Sequence, residues 1–130
     1  MSPEESKRLY GRWLSEFWNG DLTVADEVIA PDFVGHWPGE PQKIRGPEAL
    51  AELIGETRGY FTDLAFTAEV GPIAEDDTVA ARWKGEGTFQ DGTRVTMHGH
   101  DLLRVRSGRF AEYWALSEQP TPEELSLIHI

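Results

Sequence analysis

Ionisable side chains interrupt an apolar, β-rich segment near the carboxyl end of the chain. Residues 95–105 read VTMHGHDLLRV, and a Ser-Gly turn and a second β-rich run follow them. Because successive residues of a strand point to opposite faces, Asp101 and Leu103 share one face, while His98 and His100 share the other. A carboxylate among apolar neighbours costs free energy unless it is paired or used, so the pattern predicts a strand that lines a pocket.

Asp101 is the candidate general base of such a pocket. A structural ion pair between Asp101 and Arg82 or Arg104 would explain a carboxylate at this position equally well. Arg82 could in turn orient Asp101 or a substrate oxyanion, or it could belong to a fixed ion pair. His36 suits proton transfer near neutral pH, although its neighbour Trp37 also fits a residue at a pocket rim. The catalytic candidates are therefore Asp101, His36 and Arg82.

The two histidines near Asp101 have the spacing of metal ligands on a strand. Leu102 and Arg104 follow His98 and His100 on that face, and no third ligand is evident, so a dimer interface or an exposed face explains them better. The chain has no cysteine, no phosphate-binding glycine loop and no nucleophile motif. We therefore expect neither a metal nor a cofactor.

Aromatic residues are numerous enough to wall a cavity as well as fill a core, with 5 Trp, 6 Phe and 3 Tyr. At 130 residues and 39% hydrophobic content, the chain fits one domain with one core. We expect a small hydrophobic molecule as the ligand, and packed core is the alternative for each aromatic side chain. The candidate substrate-contacting aromatics are Trp13, Phe17, Trp37 and Tyr113.

The charge of the chain argues against two classes of partner. The net charge is −11 and no long block of Lys and Arg is present, so we expect no nucleic acid and no anionic membrane surface. No apolar run approaches the ~18 residues that a membrane span needs, and the first residues, MSPEESKR, are too polar for a secretory signal. These features predict a cytoplasmic protein.

Helical signals come first along the chain and strand signals follow. Ser2-Pro3-Glu4-Glu5 has the form of a helix start, and the apolar face that follows extends to Asn19-Gly20. From residue 64 onward the hydrophobic period changes to two. This order predicts an α+β fold with helices on one face of a curved antiparallel sheet. Further helices are predicted at residues 22–29 and from residue 46, and strands at residues 32–37, 64–70, 78–89, 95–105 and 110–117.

Four segments together resemble a known family. FWNGDLTVADEVIAPDFVGHWP, RGPEAL, DDTVAARWKGEGTF and GHDLLRVRSGRFAEYW are similar to the SnoaL-like polyketide cyclases of the nuclear-transport-factor-2-like superfamily, over roughly residues 5–118. The resemblance implies a cone of three helices packed on a strongly bent antiparallel sheet, with a deep pocket between them. Known relatives include cyclases, isomerases, epoxide hydrolases and dehydratases, so the fold does not choose the reaction.

The resemblance also brings out a departure from the family pattern. The SnoaL-type cyclases carry an acid/base aspartate on the last strand, seven residues beyond the glycine of the preceding turn. Counted from Gly108, that position is Ala115, which cannot transfer a proton. By the same count, the family's ionisable histidine on the preceding strand falls on Asp101. Ala115 therefore joins the predicted pocket wall, and Asp101 is the carboxylate left to replace the lost acid.

Two functions follow as alternatives. The first is cofactor-independent isomerase, cyclase or hydrolase chemistry on a carbonyl- or epoxide-containing ligand. The second is a non-catalytic ligand-binding or dimerisation domain that has lost its acid at Ala115.

Residues 1–120 are predicted to form a single domain, with a truncated or non-native tail at residues 121–130. A homodimer through the sheet face is expected, since that face is too apolar to be bare; it would carry His98, His100, Leu102, Trp114 and Leu116.

Overall fold

The computed structural model describes residues 1–118, in which a layer of helices covers one face of a curled six-stranded sheet. The tail predicted at residues 121–130 lies outside the described residues. None of the helices within residues 1–118 is both long and apolar enough to cross a membrane. The helices are α1 (Pro3–Gly11), a π-helical segment (Arg12–Phe17), a 3-10 turn (Leu22–Val24), α2 (Ala25–Val28) and α3 (Gly46–Arg58). The strands are β1 (Ile29–His36), β2 (Ile44–Arg45), β3 (Phe61–Glu75), β4 (Thr78–Phe89), β5 (Arg94–Arg106) and β6 (Arg109–Ser117).

The first helix begins where the sequence predicts. The Ser2 hydroxyl accepts a hydrogen bond from the Glu5 amide at 3.1 Å, and the Glu5 carboxylate accepts one from the Ser2 amide at 3.3 Å. The helix does not remain α-helical to Asn19, however. From Arg12 it continues as a π-helix, in which the Trp18 amide donates to the Trp13 carbonyl, five residues back, at 3.0 Å.

The sheet has the strand order β2-β1-β6-β5-β4-β3. The α+β class and the three-helix layer are confirmed, but the sheet is mixed rather than wholly antiparallel, because β1 pairs with β6 in parallel. Hydrophobic alternation shows which side of a strand is buried and does not specify its neighbour, so this pairing was not predictable from the pattern. Strand β3 is also longer than predicted, since its mostly exposed second half lacks a clear apolar face.

The curl gives the sheet a concave face under the helices and a convex face turned outward. Trp13, Phe17 and Phe33 are fully buried between helices and sheet. Asp101 lies on the concave face, and its neighbour Leu102 on the convex face is 42% exposed. Since side chains alternate along a strand, this assignment gives the facing of the residues of β5 and of their partners in β4 and β6 outside the register shift near Val105.

Candidate functional site

One buried carboxylate, Asp101, is the centre of the site. It is 3% exposed, and each of its two oxygens accepts two hydrogen bonds. Oδ2 accepts the Tyr10 hydroxyl at 2.9 Å and the Trp13 indole N–H at 3.2 Å. Oδ1 accepts the Tyr113 hydroxyl at 2.6 Å and the Trp83 indole N–H at 3.1 Å. Each oxygen therefore holds one phenol and one indole, and the lone pairs of the carboxylate are fully used.

Three parts of the fold deliver these donors. Tyr10 is the penultimate residue of α1 and Trp13 belongs to the π-helical segment, so both side chains descend from the helix layer. In the sheet, Asp101 stands opposite Ala81 of β4 and Ala115 of β6. These methyl side chains leave the space above the carboxylate open, and the phenol and indole groups from the helix layer occupy it.

Burial decides the proton affinities at the site. It raises the pKa of the Asp101 carboxyl above its ordinary range, and the four hydrogen bonds oppose that rise. Burial also raises the pKa of Tyr10 and of Tyr113, and the nearby charge of Asp101 raises both further. Both phenols therefore stay protonated at neutral pH and remain available as donors.

A pocket of about 220 Å³ opens beside this cluster. Asp101, Trp83 and Tyr113 form its polar wall. The rest of the lining is aromatic and aliphatic, apart from two hydroxyl groups: Leu14, Trp18, Trp37, Leu53, Thr57, Phe66, Met97 and Ser117. A lining that is mostly apolar with a few converging polar groups is typical of small-molecule sites.

Glycines on the concave face make room for the aromatic walls. A Cβ atom at Gly99 would lie 2.2 Å from the Trp83 ring, so this indole lies directly on the glycine. A Cβ at Gly35 would lie 2.6 Å from the Trp37 ring, and one at Gly85 would lie 2.9 Å from the Phe66 ring. Glycine inside a strand marks such close approach, and this is the sequence signal that could have identified these rings as pocket walls.

The structure does not bring His36 or Arg82 to Asp101. His36 is paired in register with Trp114, stacks on it at 5.5 Å, and contacts the Glu112 carboxylate at 2.8 Å, all on the convex face. Arg82 lies between two pocket-facing residues of β4, so its side chain also points to the convex face. It contacts Glu69 at 2.7 Å and also Glu118. The acid/base roles predicted for His36 and Arg82 therefore lack the required placement.

The ion pair considered for Asp101 is absent among the described residues. Arg82 binds the two glutamates just named, and Arg104 contacts Asp77 and Glu112. Neutral donors take the place of a cation at Asp101. No local sequence pattern indicates these contacts, because Tyr10 and Trp13 lie 91 and 88 positions from Asp101 along the chain.

The predicted substrate-contacting residues divide between pocket and core. Trp37 and Tyr113 line the pocket, and their rings contact each other edge to face at 5.3 Å. Trp13 touches Asp101 from the helix side, whereas Phe17 is fully buried in the core and lies outside the lining. Ala115 is buried next to Asp101 and is likewise outside the lining. Pocket residues not among the predicted substrate contacts include Leu14, Trp18, Phe66, Trp83 and Met97.

Comparison with known proteins identifies the family of this site. The model of the SnoaL-like polyketide cyclases matches residues 8–123. The chain belongs to the SnoaL-like polyketide cyclase family. No curated protein has a significantly similar sequence.

Several solved structures share the fold of this SnoaL-like protein. IdmH from Streptomyces antibioticus, provisionally described as a polyketide cyclase, is 28% identical over 98% of this chain and 99% of its own, with a TM-score of 0.79. AclR from Streptomyces galilaeus, provisionally described as a hydroxylase, is 24% identical over 99% of each chain, with a TM-score of 0.81. An LEH-like epoxide hydrolase from M. tuberculosis is 20% identical over 89% of this chain and 84% of its own, with a TM-score of 0.71. The last two likenesses show the fold alone.

Proposed function

We propose that this SnoaL-like protein binds a small hydrophobic molecule and catalyses cofactor-independent acid/base chemistry on it, of the isomerase, cyclase or hydrolase type. The observation that carries the proposal is the contact at 2.6 Å between a buried carboxylate, Asp101, and a phenol, Tyr113, in the wall of an apolar pocket. A carboxyl group with a raised pKa beside such a cavity is a recurrent arrangement for proton transfer.

Of the two phenols at Asp101, Tyr113 lines the pocket and Tyr10 does not, so we propose Tyr113 for the contact with the ligand. The indoles of Trp13 and Trp83 can only donate, so a proton on Asp101 must be directed to a phenol oxygen. When Tyr113 accepts that proton, its own hydrogen is free to turn toward the pocket and to protonate a ligand oxygen. With Asp101 ionised, the same pair runs in reverse, and Tyr113 passes a ligand proton to the carboxylate.

The pocket and the relatives support the substrate class. The volume of about 220 Å³ is below the ~300 Å³ at which pockets for drug-sized molecules begin, so a small ligand fits best. One protein of the same fold is described provisionally as a polyketide cyclase and another as an LEH-like epoxide hydrolase. A carbonyl or epoxide oxygen offers an acceptor for the Tyr113 proton, and we propose this class for the present chain.

A second candidate function is a non-catalytic ligand-binding domain. The observation that favours it is the saturation of Asp101, whose four hydrogen bonds satisfy it as a structural group without any ligand. The alanine at position 115, opposite Asp101, agrees with the loss of an acid.

Turnover by three variants tests the proposal on hydrophobic ketones, lactones and epoxides. For any substrate found, Asp101→Asn should reduce kcat by about 10² or more, and Tyr113→Phe should also reduce it, since acid/base catalysis typically contributes 10²–10⁴. His36→Ala, on the convex face, should keep full activity. Loss of activity in His36→Ala with full activity in Asp101→Asn would overturn the assignment. Binding without turnover across the whole screen would support the second candidate.

A further inference from the structure

The buried carboxylate of Asp101 has no cationic partner among residues 1–118. The groups that touch Asp101 are two phenols and two indoles, all neutral. No Lys, Arg or His lines the pocket within residues 1–118. The guanidinium group of Arg82 lies beneath the same part of the sheet but on the opposite face, where two glutamates hold it. Any negative charge on Asp101 is therefore left to be balanced from the pocket.

The pocket also offers little to a negatively charged ligand. While Asp101 is ionised, the four hydrogens nearest the polar wall are donated to it, and the Thr57 hydroxyl donates to the Leu53 carbonyl at 2.9 Å. The indole nitrogen of Trp18 is buried and has no hydrogen-bond partner in the described part of the chain. This leaves the hydroxyl of Ser117, an exposed residue at the end of β6, as the remaining donor of the lining. The described lining contains no arrangement of donors for an oxyanion.

Aromatic rings form a large part of the pocket lining. Five of them surround the cavity: Trp18, Trp37, Phe66, Trp83 and Tyr113. The face of each ring carries a partial negative charge that attracts cations, and the attraction grows when the site excludes water. Rings of this kind around an uncompensated carboxylate are suited to a positive charge on an apolar body.

We propose that this pocket selects small apolar organic cations, such as quaternary ammonium groups, over neutral molecules of the same shape. The inference rests on the proposed function for the choice of pocket and adds the charge of the ligand. For turnover, it favours reactions in which positive charge develops on the substrate.

Proton release should accompany cation binding. Burial raises the pKa of Asp101, and a cation beside it would lower that pKa and expel the proton. The titratable groups that face Asp101 are Tyr10 from the helix layer and Tyr113 from β6, and both stay protonated. The contacts from β4 and the π-helical segment are the indoles of Trp83 and Trp13, which do not titrate. The affinity for a cation should therefore rise with pH as Asp101 ionises.

Choline and 3,3-dimethylbutan-1-ol form a matched pair of probes, because choline has a charged quaternary nitrogen where the alcohol has a neutral quaternary carbon. Isothermal titration calorimetry of the full chain should give a Kd about tenfold or more lower for choline, with proton release detected in buffers of different ionisation enthalpy. Equal or tighter binding of the neutral alcohol would overturn the proposal, as would failure of choline to bind at millimolar concentration. Because only binding is measured, this outcome is separable from the turnover test.

Variants locate the source of the preference. Asp101→Asn should bring the two affinities within about threefold of each other, whereas Tyr113→Phe, which keeps the carboxylate, should retain the preference for choline. Trp37→Leu tests the rings without touching Asp101, and it should weaken choline binding more than alcohol binding. Equal weakening of both ligands in Trp37→Leu, or an unchanged preference in Asp101→Asn, would contradict the inference.

Discussion

Each oxygen of Asp101 accepts one hydrogen bond from a phenol and one from an indole. A phenol can reverse its role and accept a hydrogen bond, but an indole N–H cannot. Replacing the carboxyl group by its isosteric amide should therefore lower the stability of the fold, because the amide nitrogen would face an indole hydrogen in either orientation.

Asp101→Asn should reduce the free energy of unfolding by about 1–3 kcal/mol at acid pH, the usual cost of one unpaired buried donor. This deficit should shrink as pH rises. In the folded wild type the pKa of Asp101 is raised, so its contribution to stability is complete below the ordinary aspartate pKa of ~3.9 and is lost as pH rises through the folded value. Urea unfolding of both proteins from pH 4 upward measures the difference. A deficit independent of pH would show that Asp101 does not titrate in this range.

At this scale the sequence predicted part of the site. Strand alternation correctly assigned Asp101 to a pocket-facing position, and Tyr113 to the pocket wall. Its failure at His36 and Arg82 has a physical cause, because their placement depends on strand pairing. His36 belongs to β1, whose parallel register with β6 brings it to Trp114 on the other face. Residue chemistry alone carries no such information.

At the scale of elements, β5 contributes a glycine to the site as well as the Asp101 carboxylate. Gly99 lies under the Trp83 ring, and the ring in that position reaches Asp101 at 3.1 Å. A missing side chain in one strand therefore positions a donor from the next strand.

Gly99→Ala should destabilise the fold by roughly 1–3 kcal/mol, since its Cβ would lie 2.2 Å from the Trp83 ring and 2.8 Å from the Leu116 carbonyl oxygen. Gly11→Ala is the matched control. No atom lies within 4 Å of its added Cβ, and alanine in a helix should stabilise by about 0.5–1 kcal/mol. Thermal melts of the two variants should therefore shift in opposite directions. A neutral Gly99→Ala would show that the Trp83 ring moves aside without cost.

The elements themselves were largely predictable. Turn residues and alternation identified the hairpins of β4, β5 and β6, and the capping box correctly predicted the start of α1. The π-helical segment was not, because its apolar spacing resembles that of an ordinary helix, and the two differ in hydrogen bonding, such as the bond from the Trp18 amide to the Trp13 carbonyl.

At the scale of the whole molecule, no element within residues 1–118 covers the convex face of the sheet. Val70, Ile73, Leu102 and Leu116 on this face are 42–64% exposed, and charged groups flank them. Contiguous apolar surface of this kind commonly marks an interface, and a face with both charge signs at its margin can pair with a copy of itself.

We expect a homodimer through the convex face, with a mass near twice the chain mass of 14.6 kDa in light scattering at micromolar concentration. Leu102→Glu should shift the protein to monomer and leave the concave pocket intact, because residue 102 points away from Asp101. Arg104→Lys keeps the charge on the same face and should remain dimeric. A monomeric wild type would contradict the prediction.

The two indoles at Asp101 also make the carboxyl group observable by magnetic resonance. The chain has 5 Trp, and those at positions 13 and 83 donate to this one group. In an NMR titration, two of the indole N–H signals should shift together with one midpoint, while the signals of Trp37 and Trp114 follow other groups or stay fixed. The fold thus carries its own paired probe of Asp101 protonation, which reports on the site without label, substrate or substitution.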